Sequence, residues 1–449
     1  MQKGSVIVFV LIMLVILSSR QVRGSASLPT IATFDIGGKV YQPYWMAMNG
    51  HDLYVVDGTG SLARIDTATI ATQGLNAISA VQVFPFSSGG CCGNFVASLG
   101  IVIRSGFAWI GGEYNYGQAL SKVSLLDLSV ETFFPPYGIG TPLGLVADDS
   151  FVYIAGSGIA RFSLFDHSWS TIAPGAHAAG LWLNGSTIWF TRQTVGIGKV
   201  NTDGTNLTYY SSGFSSNTVF LANATNGRIW FTENNAHMIG VFDPVDTSVV
   251  EYAFGSVQDG PYGLAFDAQG KLWVAGEWNG NIREFDPSSR SWNPAADLVF
   301  SGEPFFLLKN GNDVWGDIQS IDSKLIRISV APQPIPVNIE IQHGTTLPTI
   351  NSRSHGTIPV AILSSPDLNA FSMLNRTSLT FGKTGSEQSL AFCNRNSVDM
   401  NGDELPDLLC HFGIQAAGFG GGDSIAFLSG MTIGGSPIQG KARIRVVGP

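Results

Sequence analysis

The feature that most constrains this chain is an aromatic residue inside a short apolar run, which recurs along the sequence at a nearly constant interval. The run is clearest within residues 228–244, where Trp230 stands in Ile-Trp-Phe-Thr. Seven such aromatic anchors occur, at Tyr54, Trp109, Tyr153, Trp189, Trp230, Trp273 and Trp315. Successive anchors are separated by 55, 44, 36, 41, 43 and 42 residues. Because a four-stranded propeller blade takes roughly 40 to 45 residues, the repeat predicts a seven-bladed β-propeller.

A second motif keeps the same phase as the anchors. A proline that begins a short apolar stretch precedes four of the anchors by 11 or 12 residues, at Pro43, Pro142, Pro261 and Pro304. Each repeat contains several short apolar runs separated by turns, and none has the periodicity of an amphipathic helix. The 54 glycines supply the turns that many short strands need. We therefore expect an all-β fold.

A proline-rich stretch marks a domain boundary where the repeat ends. Residues 330–337 read Val-Ala-Pro-Gln-Pro-Ile-Pro-Val, which is typical of an extended linker. We expect residues 27–331 to form the propeller and residues 332–338 to form the linker. Residues 339–449 contain further β-type runs without the repeat, so we expect a β-sandwich-like domain there.

The first 26 residues have the layout of a secretory signal peptide. Lys3 precedes an apolar run over residues 6–17, and small residues follow at positions 24–26. The run of about 12 residues is shorter than the roughly 20 needed to cross a bilayer. We therefore expect cleavage near residues 24–26 and a secreted protein without a membrane span. The net charge of −9 and the pI near 5.2 argue against a nucleic-acid partner.

The four cysteines suit an oxidising compartment. Cys393 and Cys410 flank an acidic loop, and we expect them to form a disulfide. Cys91 and Cys92 are adjacent and lie in the insertion within the long first repeat interval. They form either a strained vicinal ring or two free thiols, and the sequence leaves both alternatives open.

The acidic loop of the C-terminal region has the spacing of a calcium site. Oxygen-bearing side chains occupy loop positions 1, 3, 5 and 9, and the main-chain carbonyl of position 7 would complete the shell: Asp399, Asn401, Asp403, Asp407 and Leu405. Calcium prefers six or more oxygen ligands. The loop lacks the glycine and the final glutamate of an EF-hand, so we expect the shorter type of calcium loop found in extracellular β modules. The alternative is an acidic surface turn.

Polar residues just after the anchors are expected to meet on one face of the propeller. These residues are Asp57, Glu113, Arg192, Glu233, Glu277 and Asp317, and the loops that enter the innermost strands add His177, Asp259 and Glu303. Converging carboxylates can hold a divalent cation, and a neighbouring histidine can remove a proton from a substrate. The alternative is that the acids only favour the turns in which they lie. In a binding protein we expect the ligand to contact Asp57, Glu113, Arg192, Trp278 and Asp317, and we expect the exposed aromatic residues Trp278 and Tyr116 to line the funnel.

Two sequence blocks resemble the repeats of the virginiamycin B (streptogramin) lyase family of seven-bladed propellers. They are Ile-Trp-Phe-Thr-Glu with Ile-Gly-x-x-Asp-Pro within residues 227–244, and Pro261-Tyr-Gly-Leu followed by Lys271-Leu-Trp. The resemblance covers residues 28–331. It implies magnesium held by Glu233 and Glu277, with His177 as the candidate base. The Thr-Glu pair is intact only at Thr232-Glu233.

The C-terminal region resembles β-rich calcium-loop regions of secreted bacterial-type proteins, on the basis of Ser354-His-Gly-Thr-Ile-Pro-Val and the acidic loop. Two functions remain. The first is a secreted protein that binds an extracellular ligand, such as a glycan, a peptide or a surface component, in the propeller funnel. The second is a metal-dependent lyase or lactonase that acts on a cyclic ester. The second function requires Glu233, Glu277 and His177 to surround one metal position.

Overall fold

The computed structural model describes residues 29–83, 97–114, 117–223, 226–255, 259–319, 323–330, 334–342 and 347–448. The signal segment, Cys91, Cys92, Tyr116 and the Glu113 side chain lie outside the described residues, as does part of the linker. The fold is all-β, as predicted. The helical turns are short: Ile70–Gln73, Gly74–Ala77, Asn234–Ala236, Pro294–Ala296 and Ala370–Met373. No helix among the described residues is long and apolar enough to cross a membrane.

Within the described part of the chain, residues 30–329 form seven antiparallel sheets, which we number in chain order. The first sheet contains β2 (Pro43–Asn49), β3 (Asp52–Asp57), β4 (Ser61–Asp66) and β5 (Ile78–Gln82). The second contains β6 (Ala97–Arg104), β7 (Phe107–Tyr114), β8 (Gly117–Ser124) and β9 (Val130–Phe133). The third contains β10 (Leu145–Ala147), β11 (Phe151–Ala155), β12 (Ile159–Ser163) and β13 (Trp169–Ala173). The fourth contains β14 (Ala178–Asn184), β15 (Thr187–Arg192), β16 (Ile197–Asn201) and β17 (Thr208–Tyr210).

The last three sheets follow the same plan, and the seventh closes the ring. The fifth contains β18 (Leu221–Asn223), β19 (Ile229–Glu233), β20 (Met238–Phe242) and β21 (Val249–Ala253). The sixth contains β22 (Pro261–Phe266), β23 (Leu272–Gly276), β24 (Asn281–Asp286) and β25 (Ser291–Trp292), with β26 (Leu298–Val299) also paired to β24. The seventh contains β27 (Glu303–Asn310), β28 (Asp313–Gln319), β29 (Lys324–Ser329) and the N-terminal β1 (Thr30–Asp35). The antiparallel pairing of β1 with β29 joins the two ends of this region in one sheet.

The seven aromatic anchors are core residues, as predicted. Each is at most 7 % exposed, and each stands on the second strand of its sheet. Trp273 packs with Val314 and Ile326 of the seventh sheet, and Trp315 packs with residues of the first. Large rings at equivalent positions therefore fill the spaces between neighbouring sheets.

The threonine of the Ile-Trp-Phe-Thr motif ties neighbouring sheets together at their innermost strands. Thr232 Oγ1 accepts a hydrogen bond from the Phe220 amide at 3.2 Å and donates one to the Tyr262 carbonyl of the next sheet at 2.8 Å. Thr191 makes the equivalent bonds in the fourth sheet. The glycine of Pro-Tyr-Gly-Leu serves the same packing, since a Cβ at Gly263 would lie 2.5 Å from the Phe305 carbonyl oxygen. The threonine hydrogen bonds and the glycine therefore bring the innermost strands of neighbouring sheets close together.

The C-terminal region forms sheets of its own. One contains β30 (Ile335–Val337), β34 (Leu374–Gly382), β37 (Ile425–Thr432) and β38 (Pro437–Arg443). A second contains β31 (Ile339–Ile341), β33 (Thr357–Ile362), β35 (Leu390–Cys393) and β36 (Leu408–Gly413), and β32 (Thr349–Asn351) pairs with β39 (Arg445–Val447). A shared core between the two four-stranded sheets includes Phe381 and Phe412, whose ring centres are 4.9 Å apart. The predicted disulfide, Cys393–Cys410, links β35 to β36.

Candidate functional site

The antiparallel order of the strands sorts the loops of the propeller onto two faces. The turns after β19 and β23 lie on one face, together with the connections that lead from one sheet to the next; we call it the upper face. The turns after β18, β20, β22 and β24 lie on the opposite, lower face. Glu233 ends β19, and Glu277 follows β23. His177 and Asp259 belong to the connections between sheets, and Glu303 is the first residue of β27, next to such a connection, so the predicted residues share the upper face.

Aromatic rings from innermost strands meet at the centre of the propeller. Trp45 of the first sheet lies 4.9 Å from Phe220 beside the fifth and 5.4 Å from Phe306 of the seventh, between ring centres. Tyr262 of the sixth sheet lies 4.1 Å from Phe305 and 4.9 Å from Phe220. These rings belong to or adjoin the first, fifth, sixth and seventh sheets. They form an aromatic floor beneath the loops of the upper face.

Glu277 lies beside this floor and carries the most clearly defined polar contacts of the site. Its carboxylate accepts a hydrogen bond from Asn234 Nδ2 at 3.2 Å. Burial raises the pKa of Glu277, and the charge of nearby Glu303 acts in the same direction, against the Asn234 bond. Burial and the Glu277 charge in turn raise the pKa values of Tyr44 and Tyr262. Both phenols therefore remain protonated near a partly desolvated carboxyl group.

Neither Glu277 nor Glu303 forms an ion pair with any lysine or arginine in the described ranges. Glu277 interacts with Asn234 and Trp278, whose hydrogen bonds lower its pKa, and with two tyrosines and a second acid. The site therefore offers hydrogen-bond acceptor oxygens and negative charge without a lysine or arginine beside them in the described ranges. It suits a ligand that brings hydrogen-bond donors or a positive charge.

Trp278 lies next to this group and is 47 % exposed. The His237 ring meets it edge to face, with 5.5 Å between ring centres. His237 is held in a left-handed backbone conformation, with φ of 59°, and its Nδ1 lies 2.8 Å from the Asp259 carbonyl oxygen. The His237 ring therefore packs against the exposed indole of Trp278 and holds it at the edge of the upper face.

Glu233 does not share the surroundings of Glu277. It is fully buried, its Oε1 accepts a hydrogen bond from the Ser216 amide at 3.2 Å, and its Oε2 has no donor. Burial raises the pKa of Glu233 to about 8, and the charge of Glu251 on β21 contributes to the rise. Glu251 accepts hydrogen bonds from the amide and hydroxyl of Ser215. Glu233 therefore faces the outer strand of its own sheet and the connection from the fourth sheet.

The predicted metal cluster is not found. Among the residues that the structure describes, no group of three or more histidines, cysteines, aspartates or glutamates is placed to hold a metal ion. His177 is an exposed loop residue with φ of 48°, and its amide donates to the Ser157 carbonyl. Glu233 turns towards Glu251, whereas Glu277 turns towards Asn234. Glu233, Glu277 and His177 therefore have different neighbours, and magnesium binding by these residues stays a prediction.

Asp57 and Arg192, which were expected to contact a ligand, make local structural bonds. Asp57 is 3 % exposed, and its carboxylate accepts hydrogen bonds from Thr59, Ser61 and Tyr41. Arg192 donates to the Ala176 and Val195 carbonyls, and its guanidinium lies 4.4 Å from the centre of the Tyr209 ring. Their hydrogen-bonding groups are engaged within the fold.

Asp317 is also a structural residue. It is fully buried, and its Oδ1 accepts a hydrogen bond from the Phe306 amide at 2.6 Å. Its position corresponds to that of Thr191 and Thr232, two residues after the tryptophan anchor. Oδ2 has no partner, and burial raises the pKa of Asp317 well above its ordinary range.

The acidic loop of the C-terminal region uses its side chains to bind its own backbone. Asp399 accepts hydrogen bonds from the amides of Gly402, Asp403 and Glu404, which lower its pKa. Asp403 accepts from the Leu405 amide and from Asn401 Nδ2. Asp407 is fully buried, and its two oxygens accept from the Ser364 and Met400 amides. In this conformation Asp407 ties the loop to the sheet, and Asp399, Asn401, Asp403 and the Leu405 carbonyl are the oxygens left for a cation.

Sequence reasoning missed Asn234, Tyr44 and Tyr262 as site residues. The signal was present in the repeat, because Pro43-Tyr44 and Pro261-Tyr262 carry a tyrosine where Pro142 is followed by leucine and Pro304 by phenylalanine. A tyrosine at a repeat position where other sheets carry leucine or phenylalanine indicates that this position faces the centre of the propeller.

No protein-family model matches the sequence, and no curated protein is significantly similar to it. Solved structures do share the fold. Virginiamycin B lyase from Staphylococcus aureus is similar with a TM-score of 0.56 and 14 % identity, over 67 % of this chain and 99 % of that one. A catalytically inactive variant of that lyase with quinupristin gives a TM-score of 0.56 at 15 % identity, over 67 % of this chain and 99 % of that one. YCF48 bound to a D1 peptide gives 0.53 at 13 % identity, over 70 % of this chain and 98 % of that one. At these identities the likeness establishes the β-propeller fold and leaves the chemistry open.

Proposed function

We propose that this protein is a secreted β-propeller protein that binds an extracellular ligand on its upper face. The observation that carries the proposal is the group around Glu277: a partly buried carboxyl without a cationic partner, next to Glu303 and above an aromatic floor. Secretion rests on the signal-like first 26 residues. The group fits a basic peptide best, because an ammonium or guanidinium group would supply the missing charge.

The alternative, a lyase that opens a cyclic ester, has less support from the geometry. It needs a metal ion and a base that act on one substrate position. Glu233 lies against Glu251, and His177 is in the connection between the third and fourth sheets. The similarity to virginiamycin B lyase is a similarity of fold at 14 % identity. We therefore favour a binding function.

The second part of the proposal is that calcium stabilises the C-terminal region. Asp399 has a lowered pKa and is therefore ionised at neutral pH, and Asn401 and Asp403 place further oxygens on the same exposed loop. A cation held by this loop would tie residues 399–405 to the disulfide-linked strands that flank it.

The binding proposal is tested by calorimetric titration of the full chain with a tri-lysine peptide, with tri-glutamate and tri-alanine peptides as matched probes. We expect tri-lysine to bind and the other two peptides to bind at least tenfold more weakly. Glu277→Gln should weaken tri-lysine binding about tenfold, since a tenfold change corresponds to about 1.4 kcal/mol, the size of one charge-assisted hydrogen bond.

Glu131→Gln is the control, because Glu131 is an exposed residue of β9 on the rim of the second sheet. It should leave the affinity unchanged. Equal binding of all three peptides, or an unaltered affinity in Glu277→Gln, would contradict a basic ligand at this site.

A further inference from the structure

The lower face carries a cavity that is separate from the Glu277 group. Its volume is about 850 Å³, and it lies between the fifth and sixth sheets. Asn223, Asn226 and the turns β20–β21, β22–β23 and β24–β25 form its rim, and its lining includes Arg228, Tyr252, Gln269, Arg290 and Lys309. We call it the lower groove. The volume falls within the range of about 300–1,000 Å³ that is typical of small-ligand sites.

The lower groove is positively charged in a chain whose net charge is −9. Three basic side chains line it: Arg228, Arg290 and Lys309. Arg228 is paired with Asp243 at 3.0 Å. Arg290 is exposed and has no hydrogen bond or ion pair with the described residues, and Lys309 Nζ donates only to a main-chain carbonyl, that of Asp267, at 3.2 Å. Two positive charges are therefore not balanced by a paired carboxylate.

The remaining acid of the groove lies beneath its surface. Asp267 is 2 % exposed, and its carboxylate accepts hydrogen bonds from the Gln269 and Lys271 amides and from the Trp273 indole nitrogen. The lining therefore carries three basic and two acidic side chains. The excess positive charge lies on Arg290 and Lys309, which are exposed.

The uncharged lining of the groove is suited to sugar rings. The half-buried Tyr252 ring lies parallel to Trp230 behind it, with 6.1 Å between ring centres and 15° between planes. Side-chain amides of Asn226 and Gln269 and the hydroxyl of Ser248 also line the groove. Hydroxyl-rich ligands use this combination of a rigid aromatic surface and several amide and hydroxyl partners.

We propose that the lower groove binds a short oligosaccharide that carries carboxylate or sulfate groups. Arg290 and Lys309 contact the acidic groups, since a guanidinium can donate two parallel hydrogen bonds to two oxygens of a carboxylate or sulfate and an ammonium supplies a positive charge. Tyr252 and the amides contact the sugar rings. This site lies on the face opposite Glu277, so the proposal does not depend on the ligand of the upper face.

The test is calorimetric titration of the full chain with trigalacturonate, a chondroitin sulfate disaccharide and neutral maltotriose. We expect at least one acidic probe to bind at least tenfold more tightly than maltotriose. The affinity should fall when the salt concentration is raised from 50 to 300 mM, because exposed charges are screened. Trigalacturonate carries only carboxylates, whereas the chondroitin sulfate disaccharide carries a carboxylate and a sulfate, so tighter binding of the disaccharide would show that sulfate contributes to recognition.

Arg290→Gln and Lys309→Gln should each weaken the binding of the acidic probe about tenfold. Both residues are exposed and neither forms an ion pair with the described residues, and Arg353→Gln, at an exposed arginine of the C-terminal region, is the matched control. Glu277→Gln should have no effect, which separates this site from the upper face. Absence of binding at millimolar concentration, equal affinity for maltotriose, or unchanged affinity in both groove variants would overturn the proposal.

Discussion

Glu233→Gln is expected to stabilise the propeller at alkaline pH and to change its stability little at acidic pH. The Glu233 carboxyl is fully buried, faces Glu251 and has one oxygen without a donor. These surroundings disfavour its ionised form. Glutamine has nearly the same shape, carries no charge and offers an amide donor to Glu251.

The size of the effect follows from the difference between the folded and unfolded pKa values. The pKa of Glu233 is raised from 4.5 to about 8 in the folded protein. Between these values the folded state binds a proton that the unfolded state has lost, so the free energy of unfolding decreases as the pH rises. One pH unit inside this window corresponds to about 1.4 kcal/mol. Because Glu233 shares its site with Glu251, we expect a smaller total, roughly 2–3 kcal/mol between pH 5 and pH 8.

The assay is urea unfolding of both proteins at several pH values from 5 to 8.5, followed by tryptophan fluorescence. All ten tryptophans lie before residue 330, so the signal reports on the propeller alone. The difference in unfolding free energy between Glu233→Gln and the parent should grow steadily with pH. Glu131→Gln is the control for the removal of a carboxyl, at an exposed residue whose partner is Lys122 at 3.7 Å.

A constant difference across this range would refute the reasoning. It would mean that Glu233 is already ionised at pH 5 in the folded protein. A difference that becomes smaller as the pH rises would refute it too, because the linkage would then have the opposite sign.

Three further changes test other parts of the structure. Asp317→Ala should lower the unfolding free energy by about 1–3 kcal/mol, since the Phe306 amide loses its acceptor. Asp317→Thr, which introduces the residue found at the equivalent positions 191 and 232, should retain most of the unfolding free energy. Equal losses in the two variants would contradict this role. Gly240→Ala should cost about 1–3 kcal/mol, because its Cβ would lie 2.2 Å from the Phe231 ring, whereas Gly420→Ala, with open space around its Cβ, serves as the neutral comparison in the same assay. Calorimetric titration of the full chain with calcium should give a binding heat that Asp399→Asn abolishes; a chain that binds no calcium, or a variant that binds it equally, would exclude the acidic loop.

The fold was predictable because the anchors mark one buried position per repeat. A large ring at the middle of the second strand has to pack against the next sheet, so its spacing along the sequence reports the spacing of the sheets. The Pro-x-Gly-Leu motif is equally direct, because Gly263 permits the close approach of the Phe305 backbone. Such residues act through packing that is the same in every repeat.

The site was less predictable because neighbouring strand positions face opposite sides. Asp317 lies two residues after its anchor, Glu233 three and Glu277 four, and a shift of one residue reverses the direction of a side chain. Asp317 therefore bonds the inner strand, Glu233 faces β21, and Glu277 reaches Asn234. The direction of each carboxylate also depends on the loop beside it, as with the serine amides of the connection before the fifth sheet. The connecting loops differ from one repeat to the next, so the sequence repeat does not predict their contacts with the carboxylates.

The seventh sheet sets how the propeller responds to a pulling force. Thr30 is paired with Ser329, so the segment before residue 29 and the segment after residue 330 leave the ring at the same end of the β1–β29 pair. Tension between them acts first on this terminal bridge and then on Ile31 with Ile328, one bridge after another. Strands that are pulled apart from one end lose their hydrogen bonds one pair at a time, and they separate at lower force than strands that are sheared along their length. A tether attached at both segments would therefore open the ring at β1 while the other six sheets keep their hydrogen bonds.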